Sequence, residues 1–132
     1  MHRTILKEGT TTLIWYQNHV EAVYITDGEG TIELVEPQQE QGQGVVHHLS
    51  PGTMYVLNGQ ERHFLSATKG DLKVVCAFNP PIAGTEDHDA RGVYPAVDDD
   101  GVSHAVVSEA VMHKKLTKPP ASLASGTPLH LQ

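Results

Sequence analysis

The sequence has little of what marks a secreted, membrane-spanning or nucleic-acid-binding chain. It holds one cysteine, Cys76, in 132 residues. A single cysteine excludes an intramolecular disulfide framework and suits a reducing cytoplasm. No apolar run is long enough to span a bilayer, and no basic-then-apolar leader opens the sequence. Positive charge is scarce: 9 Lys and Arg stand against 16 Asp and Glu, a formal net charge of −7 with His neutral. That balance argues against nucleic acid, whose phosphates need a basic surface. It is compatible with a cationic or zwitterionic small ligand. Aromatics are only 5% of residues, but charged residues are no more frequent than usual, so global disorder is not indicated. No internal repeat is visible.

What is present is a chain of one-domain length, rich in β-forming runs. Residues 2–7 alternate as a strand, Glu8-Gly9 makes a turn, and 11–17 are β-branched and aromatic. Asn18-His19 marks a bend, and 20–27 is the clearest strand of the chain. Gly28-Glu29-Gly30 has turn chemistry, so 31–36 is expected to pair back as a hairpin. Residues 37–44 have no apolar member and read as a mobile loop. Strands follow at 45–49 and 53–57. Asn58-Gly59 is a hairpin-type turn before 62–67, and Lys69-Gly70-Asp71 turns into 72–78. Short strands at this spacing predict an all-β antiparallel sandwich or barrel.

After Asn79 the composition changes. Residues 79–101 read as a long loop carrying Pro80, Pro81, Gly84, Gly92, Pro95 and the run Asp98-Asp99-Asp100. Ser103 can cap a helix, and Val102, Val106, Ala110 and Val111 fall near helical spacing, which predicts a helix over 103–116. The expected organisation is a barrel domain over 1–97 and an extension over 98–132 with one helix and a disordered tail.

Two stretches carry the chemistry, GTTTLIWYQNHVEAVYITDG from Gly9 and GTMYVLNGQERH from Gly52. Each offers one strong metal-ligand candidate, Glu21 and His63, and Tyr55 lies in the second. Glu21 stands six residues before Gly28, and His63 is reached from Gly52 across Asn58, Gly59 and Gln60. This spacing resembles the two motifs of the cupin family, small β-barrels (double-stranded β-helices) that hold a metal or small ligand in the barrel mouth. The cupin His-x-His pair is absent. Its positions fall on Ile14 and Tyr16, or on Trp15 and Gln17, depending on register. Two imidazoles are lost either way, so an ordinary two-histidine, one-carboxylate iron centre is not expected. Most of the nine histidines are expected at the surface, with His2 near a chain end.

At HVEAVYITDGEG, MYVLNGQERHFL and CAFNPPIAGTEDHDARGVYPA the chain resembles the ectoine synthase family of cupins, from about Thr4 to Ala96. The family closes N-γ-acetyl-2,4-diaminobutyrate into ectoine, a compatible solute, with loss of water, as an iron-dependent homodimer. The resemblance implies Glu21, Tyr55 and His63 as ligands of Fe2+, with Zn2+ or Mn2+ as possible substitutes. It implies Thr4, Tyr16, Phe78, Glu86 and His88 as substrate contacts, with Glu86 and His88 as the acid–base pair. It also places Cys76 at a family cysteine and favours the register that turns Tyr16 inward. A homodimer is expected, with the first strand or the C-terminal region at its interface.

Two departures from the family pattern shape the expected activity. Family members carry a segment ahead of the Thr4 position that holds a Trp and a Ser contact, and here Met1 lies three residues before Thr4. They also usually end soon after the GVYP motif, whereas here more than thirty residues follow Val97. Metal binding is therefore expected to be retained more fully than turnover. The alternative reading is a non-catalytic cupin that binds a metal or a small polar solute.

Overall fold

The computed structural model describes residues 1–82, 86–97, 100 and 102–104. Eight strands run β1 His2–Leu6, β2 Thr11–Trp15, β3 Val20–Val35, β4 Val45–Leu49, β5 Met54–Leu57, β6 Arg62–Asn79, β7 Ala96–Val97 and β8 Ser103–His104. All ladders between these strands are antiparallel. Two long strands organise the molecule. The first part of β3 pairs with the last part of β6, flanked by β5 and β1. The last part of β3 pairs with the first part of β6, flanked by β4 and β2. Two four-stranded layers are thus made from one pair of bent strands, the all-β barrel that the sequence predicts.

The bend corrects two readings. Gly28-Glu29-Gly30 is not a hairpin turn. β3 runs through it, with register shifts between Ile25 and Gly30. The shifts exchange the buried face: Glu21, Val23 and Ile25 point inward before it, and Gly30 and Ile32 after it. Likewise β6 runs through Lys69-Gly70-Asp71, where the inward set changes from His63, Leu65 and Ala67 to Leu72, Val74 and Cys76. Bulge and turn draw on the same residue types, so composition could not separate them. Two glycines are required here. Gly28 has φ +78°, and a Cβ on it would meet the Asp71 carbonyl oxygen at 2.3 Å. A Cβ on Gly30 would lie 2.2 Å from the Ser66 carbonyl oxygen. Three ion pairs, Lys7–Asp71, Lys69–Glu29 and Lys73–Asp27, surround the bend. They are solvent-exposed and add little stability.

Asn58-Gly59 is also no hairpin turn, because β5 pairs with β3 and not with β6. The 37–44 segment, expected to be mobile, is tied down. Glu33 Oε1 accepts hydrogen bonds from Gly42 N and Gly44 N, and Arg62 Nη1 donates to the Gln39 carbonyl at 2.7 Å. Ser103, expected to cap a helix, instead pairs with Val97 in the β7–β8 ladder. The rest of that predicted helix, and most of the 98–132 extension, lie outside the described residues. The core is formed by Val23, Ile25, Ile32, Leu65, Leu72, Val74 and their neighbours between the layers. No helix among the described residues is long and apolar enough to cross a membrane.

Candidate functional site

Strand parity gathers the chemistry on one inner surface. Glu21 is opposite Leu57 on β5 and Phe78 on β6, and Val23 is opposite Tyr55 and Cys76. His2 and Thr4 of β1 face Cys76 and Val74. Ile14 of β2 faces His63. These ladders surround a cavity of about 210 Å3 whose polar lining includes Thr4, Tyr16, Glu21, Tyr55, Cys76 and Glu86. Ile14 and Tyr16 both line it, which settles the register that the sequence left open.

Glu21 is 4% exposed and His63 is fully buried. His63 Nδ1 lies 3.1 Å from the Glu61 carbonyl oxygen, which accepts its proton. That contact leaves the Nε2 lone pair free to face Glu21 Oε2 at 4.0 Å. The distance is too long for a hydrogen bond. Neither atom has a hydrogen-bond partner among the described residues. They do not form an ion pair either, because burial drives both toward neutrality. It raises the Glu21 carboxyl to about 7 and lowers the His63 imidazole.

Two buried polar atoms without partners are costly. A cation between them would remove the cost. Metal–nitrogen and metal–oxygen bonds are each roughly 2.0–2.2 Å, so one ion can reach both atoms. The Nδ1–H bond to a backbone carbonyl is the orienting contact that metal-bound histidines usually have. The third candidate is Tyr55, because no three His, Cys, Asp or Glu side chains among the described residues form a cluster able to hold a metal. Burial and the nearby Glu21 raise the Tyr55 phenol above its ordinary value, so without a cation it holds its proton. A divalent ion reverses that preference by supplying the largest local charge.

Cys76 links two lining residues. Its thiol lies beside the Glu21 carboxyl and the Thr4 hydroxyl. Burial pushes the thiol up to about 12, so it serves as a protonated hydrogen-bonding group and not as a nucleophile. The opposite wall is aromatic. Tyr16 lies 4.8 Å from both Phe78 and Tyr94, centroid to centroid. Glu86 lines the cavity, but His88 is exposed and stands behind Tyr94, edge-on at 5.3 Å.

Sequence reasoning missed the residues that hold this wall. His19 was read as part of a bend, yet it is 3% exposed. Its Nδ1 lies 2.8 Å from the Pro80 carbonyl oxygen and its Nε2 3.3 Å from that of Pro95. Asn18 Nδ2 donates to the Tyr94 carbonyl at 3.2 Å, and Trp15 N donates to that of Gly92 at 2.8 Å. The segment carrying Glu86 and Tyr94 is thereby fastened to the end of β2. His19 and His63 are the buried histidines among the described residues. Only a polar pair inside an apolar run could have hinted at Asn18 and His19.

Strands β1 to β7 and the residues lining the cavity fall inside one family model, Ectoine synthase, which matches residues 1–98. The chain belongs to the ectoine synthase family. L-ectoine synthase of Halalkalibacterium halodurans is 49% identical over 100 residues, covering 76% of this chain and 72% of that relative. L-ectoine synthase of Streptomyces anulatus is 50% identical over 95 residues, covering 72% of this chain and 67% of the relative. The crystal structure of ectoine synthase from P. lautus superposes with a TM-score of 0.54 at 49% identity. The match spans 62% of this chain and 54% of that one. In this ectoine synthase family member the Glu21, Tyr55 and His63 side chains stand on three strands, β3, β5 and β6.

Proposed function

We propose that this chain closes N-γ-acetyl-2,4-diaminobutyrate into ectoine with loss of water, using a divalent cation, Fe2+ first and Zn2+ or Mn2+ as substitutes. The single observation that carries the metal is the facing pair of partnerless buried atoms, Glu21 Oε2 and His63 Nε2. Glu21, Tyr55 and His63 would hold the ion. When bound, it supplies Lewis acidity that polarises the acetamide carbonyl.

The protein's own groups do the rest. The aromatic wall of Tyr16, Phe78 and Tyr94 holds the substrate folded, so that its amine lies within near-attack distance of its own acetamide carbon. The same rings exclude bulk water. Glu86, half-buried in the wall, takes the proton that the attacking amine sheds as the carbon–nitrogen bond forms. The carbonyl oxygen leaves as water, and its protons come from that amine through Glu86. His88 acts at one remove, packed against Tyr94. Thr4 and the Cys76 thiol line the cavity beside Glu21.

The chain is proposed to work as a homodimer in the cytoplasm. The outer face of the β5–β3–β6–β1 layer supports the first point. Tyr24 is paired with Met54 and Ala22 with Val56, and Tyr24, Met54 and Val56 are all exposed. The lone buried thiol of Cys76 suits a reducing compartment. The direct test is a product assay with the iron-loaded and the chelator-stripped full chain. Ectoine should form with the first and not with the second. Absence of product in both would overturn the proposal.

A further inference from the structure

A second, larger cavity of about 600 Å3 shares no lining residue with the first. Its volume lies in the ordinary range for small-molecule sites. Trp15 lines it, although the neighbours Ile14 and Tyr16 line the first cavity. Arg62 lines it too, directly opposite Trp15 in the β2–β6 ladder and one residue before the inward-facing His63. Alternation along β2 and β6 sends Trp15 and Arg62 to the face opposite these neighbours.

Both side chains are half-buried and held in place. Trp15 Nε1 donates to the Gln60 carbonyl at 2.9 Å, which fixes the indole. Arg62 Nη1 donates to the carbonyls of Glu36 and Gln39 at 3.4 and 2.7 Å. The Phe64 ring lies 5.7 Å from Arg62 Cζ, centroid to atom. These contacts orient the guanidinium without neutralising it. Among the described residues no ion pair includes Arg62, and its Nε and Nη2 make no hydrogen bond. Nε and Nη2 form the edge of a guanidinium that can match a carboxylate with two parallel bonds. The rest of the lining suits a cation. Glu36 and Glu61 border the cavity, and an indole face attracts positive charge.

We propose that this second cavity binds a small zwitterion, with its carboxylate on Arg62 and its cation beside Trp15 and the two glutamates. Ectoine has this chemistry, because it is a cyclic amidine that carries one carboxylate. Its assignment as the natural ligand rests on the activity proposed above. The cavity is then a product-binding site separate from the catalytic one.

Trp15 is the only tryptophan of the chain, so its fluorescence reports on this cavity. The test titrates the full iron-loaded chain with ectoine and with the same cyclic amidine lacking its carboxylate. Ectoine should give a saturable change in Trp15 emission. The carboxylate-free amidine should bind about tenfold or more weakly, as expected on losing charge-assisted hydrogen bonds. Arg62→Gln should weaken ectoine binding by a similar factor, and Arg62→Lys, which keeps the charge but not the fork, by less. Glu86→Gln, in the catalytic cavity, should leave the titration unchanged. The two-ligand comparison on the parent decides the matter should Arg62→Gln not fold. No response to ectoine, an equal response to both ligands, undiminished binding in Arg62→Gln or a titration lost in Glu86→Gln overturns the inference. If the parent shows the carboxylate-dependent response but forms no ectoine from the acetylated diamine, the proposed activity fails while the zwitterion site stands.

Discussion

Ile14 stands directly opposite His63 in the β2–β6 ladder, on the inward face of both strands. It occupies one of the two positions where the general cupin pattern has histidines, and Tyr16 occupies the other. The polar side of the site is therefore supplied by β3, β5 and β6, and β2 contributes apolar and aromatic wall. Ile14→Ala should lower stability by about 1–3 kcal/mol, the lower part of the range for such truncations because Ile14 is only half-buried. Bound metal per chain should not change. A loss of metal measured by elemental analysis would show that Ile14 shapes the site more than this account allows.

Metal-free protein should respond to pH through Glu21. Its folded pKa is raised by burial from 4.5 to about 7. A raised pKa contributes stability that is fully present below 4.5 and is lost as pH rises through about 7. Glu21→Gln should therefore be more stable than the parent at pH 8, by at most about 3 kcal/mol, and should lose this advantage near pH 4. His63 acts in the opposite direction in both proteins. Its folded pKa is lowered, so its contribution is present above 6.5 and is lost as pH falls through the folded value. Chelator-treated samples melted across this range provide the check. A parent more stable than Glu21→Gln at pH 8 would contradict the assignment.

Glu21 and His63 stood out in the sequence as metal-ligand candidates because of their spacing to Gly28 and from Gly52, whereas Tyr55 entered only through the family resemblance. Residue spacing alone left open which way Ile14 and Tyr16 pointed, because the ladder to His63 joins residues 49 positions apart, and the inward register favoured by the family resemblance is the one found. His19 was missed for a similar reason. Its partners, the carbonyls of Pro80 and Pro95, lie 61 and 76 positions away. The continuous β3 and β6 were read as hairpins because glycine at a bulge and glycine at a turn look alike in sequence. The inward switch from odd to even residues along β3 shows only when burial is known.

His19 should behave as a positioning residue for the wall. His19→Leu keeps the volume roughly but leaves the carbonyls of Pro80 and Pro95 without that partner. The cost should be about 1–3 kcal/mol in thermal denaturation. Substrate KM should rise as Tyr94 and Glu86 loosen. His19→Gln, which keeps a donor, should recover part of both losses. Equal effects from the two substitutions would reduce His19 to a packing role.

Gly28→Ala tests the bend. The residue has φ +78°, and its new Cβ would meet the Asp71 carbonyl oxygen at 2.3 Å, so backbone must shift. A destabilisation of about 2 kcal/mol or more is expected, with the melting temperature as readout. Gly52→Ala is the control. Gly52 has φ +92° but nothing within 4 Å of the added Cβ, so its cost should be smaller.

The central claim is that Glu21, Tyr55 and His63 form one cation site, and iron bound per chain measures it most directly. The parent, reconstituted anaerobically with Fe2+ and freed of excess, should carry about one ion per chain, and His63→Ala less than about a tenth of that. Undiminished iron in His63→Ala would contradict the account, because the lone pair facing Glu21 across 4.0 Å would then not be a ligand.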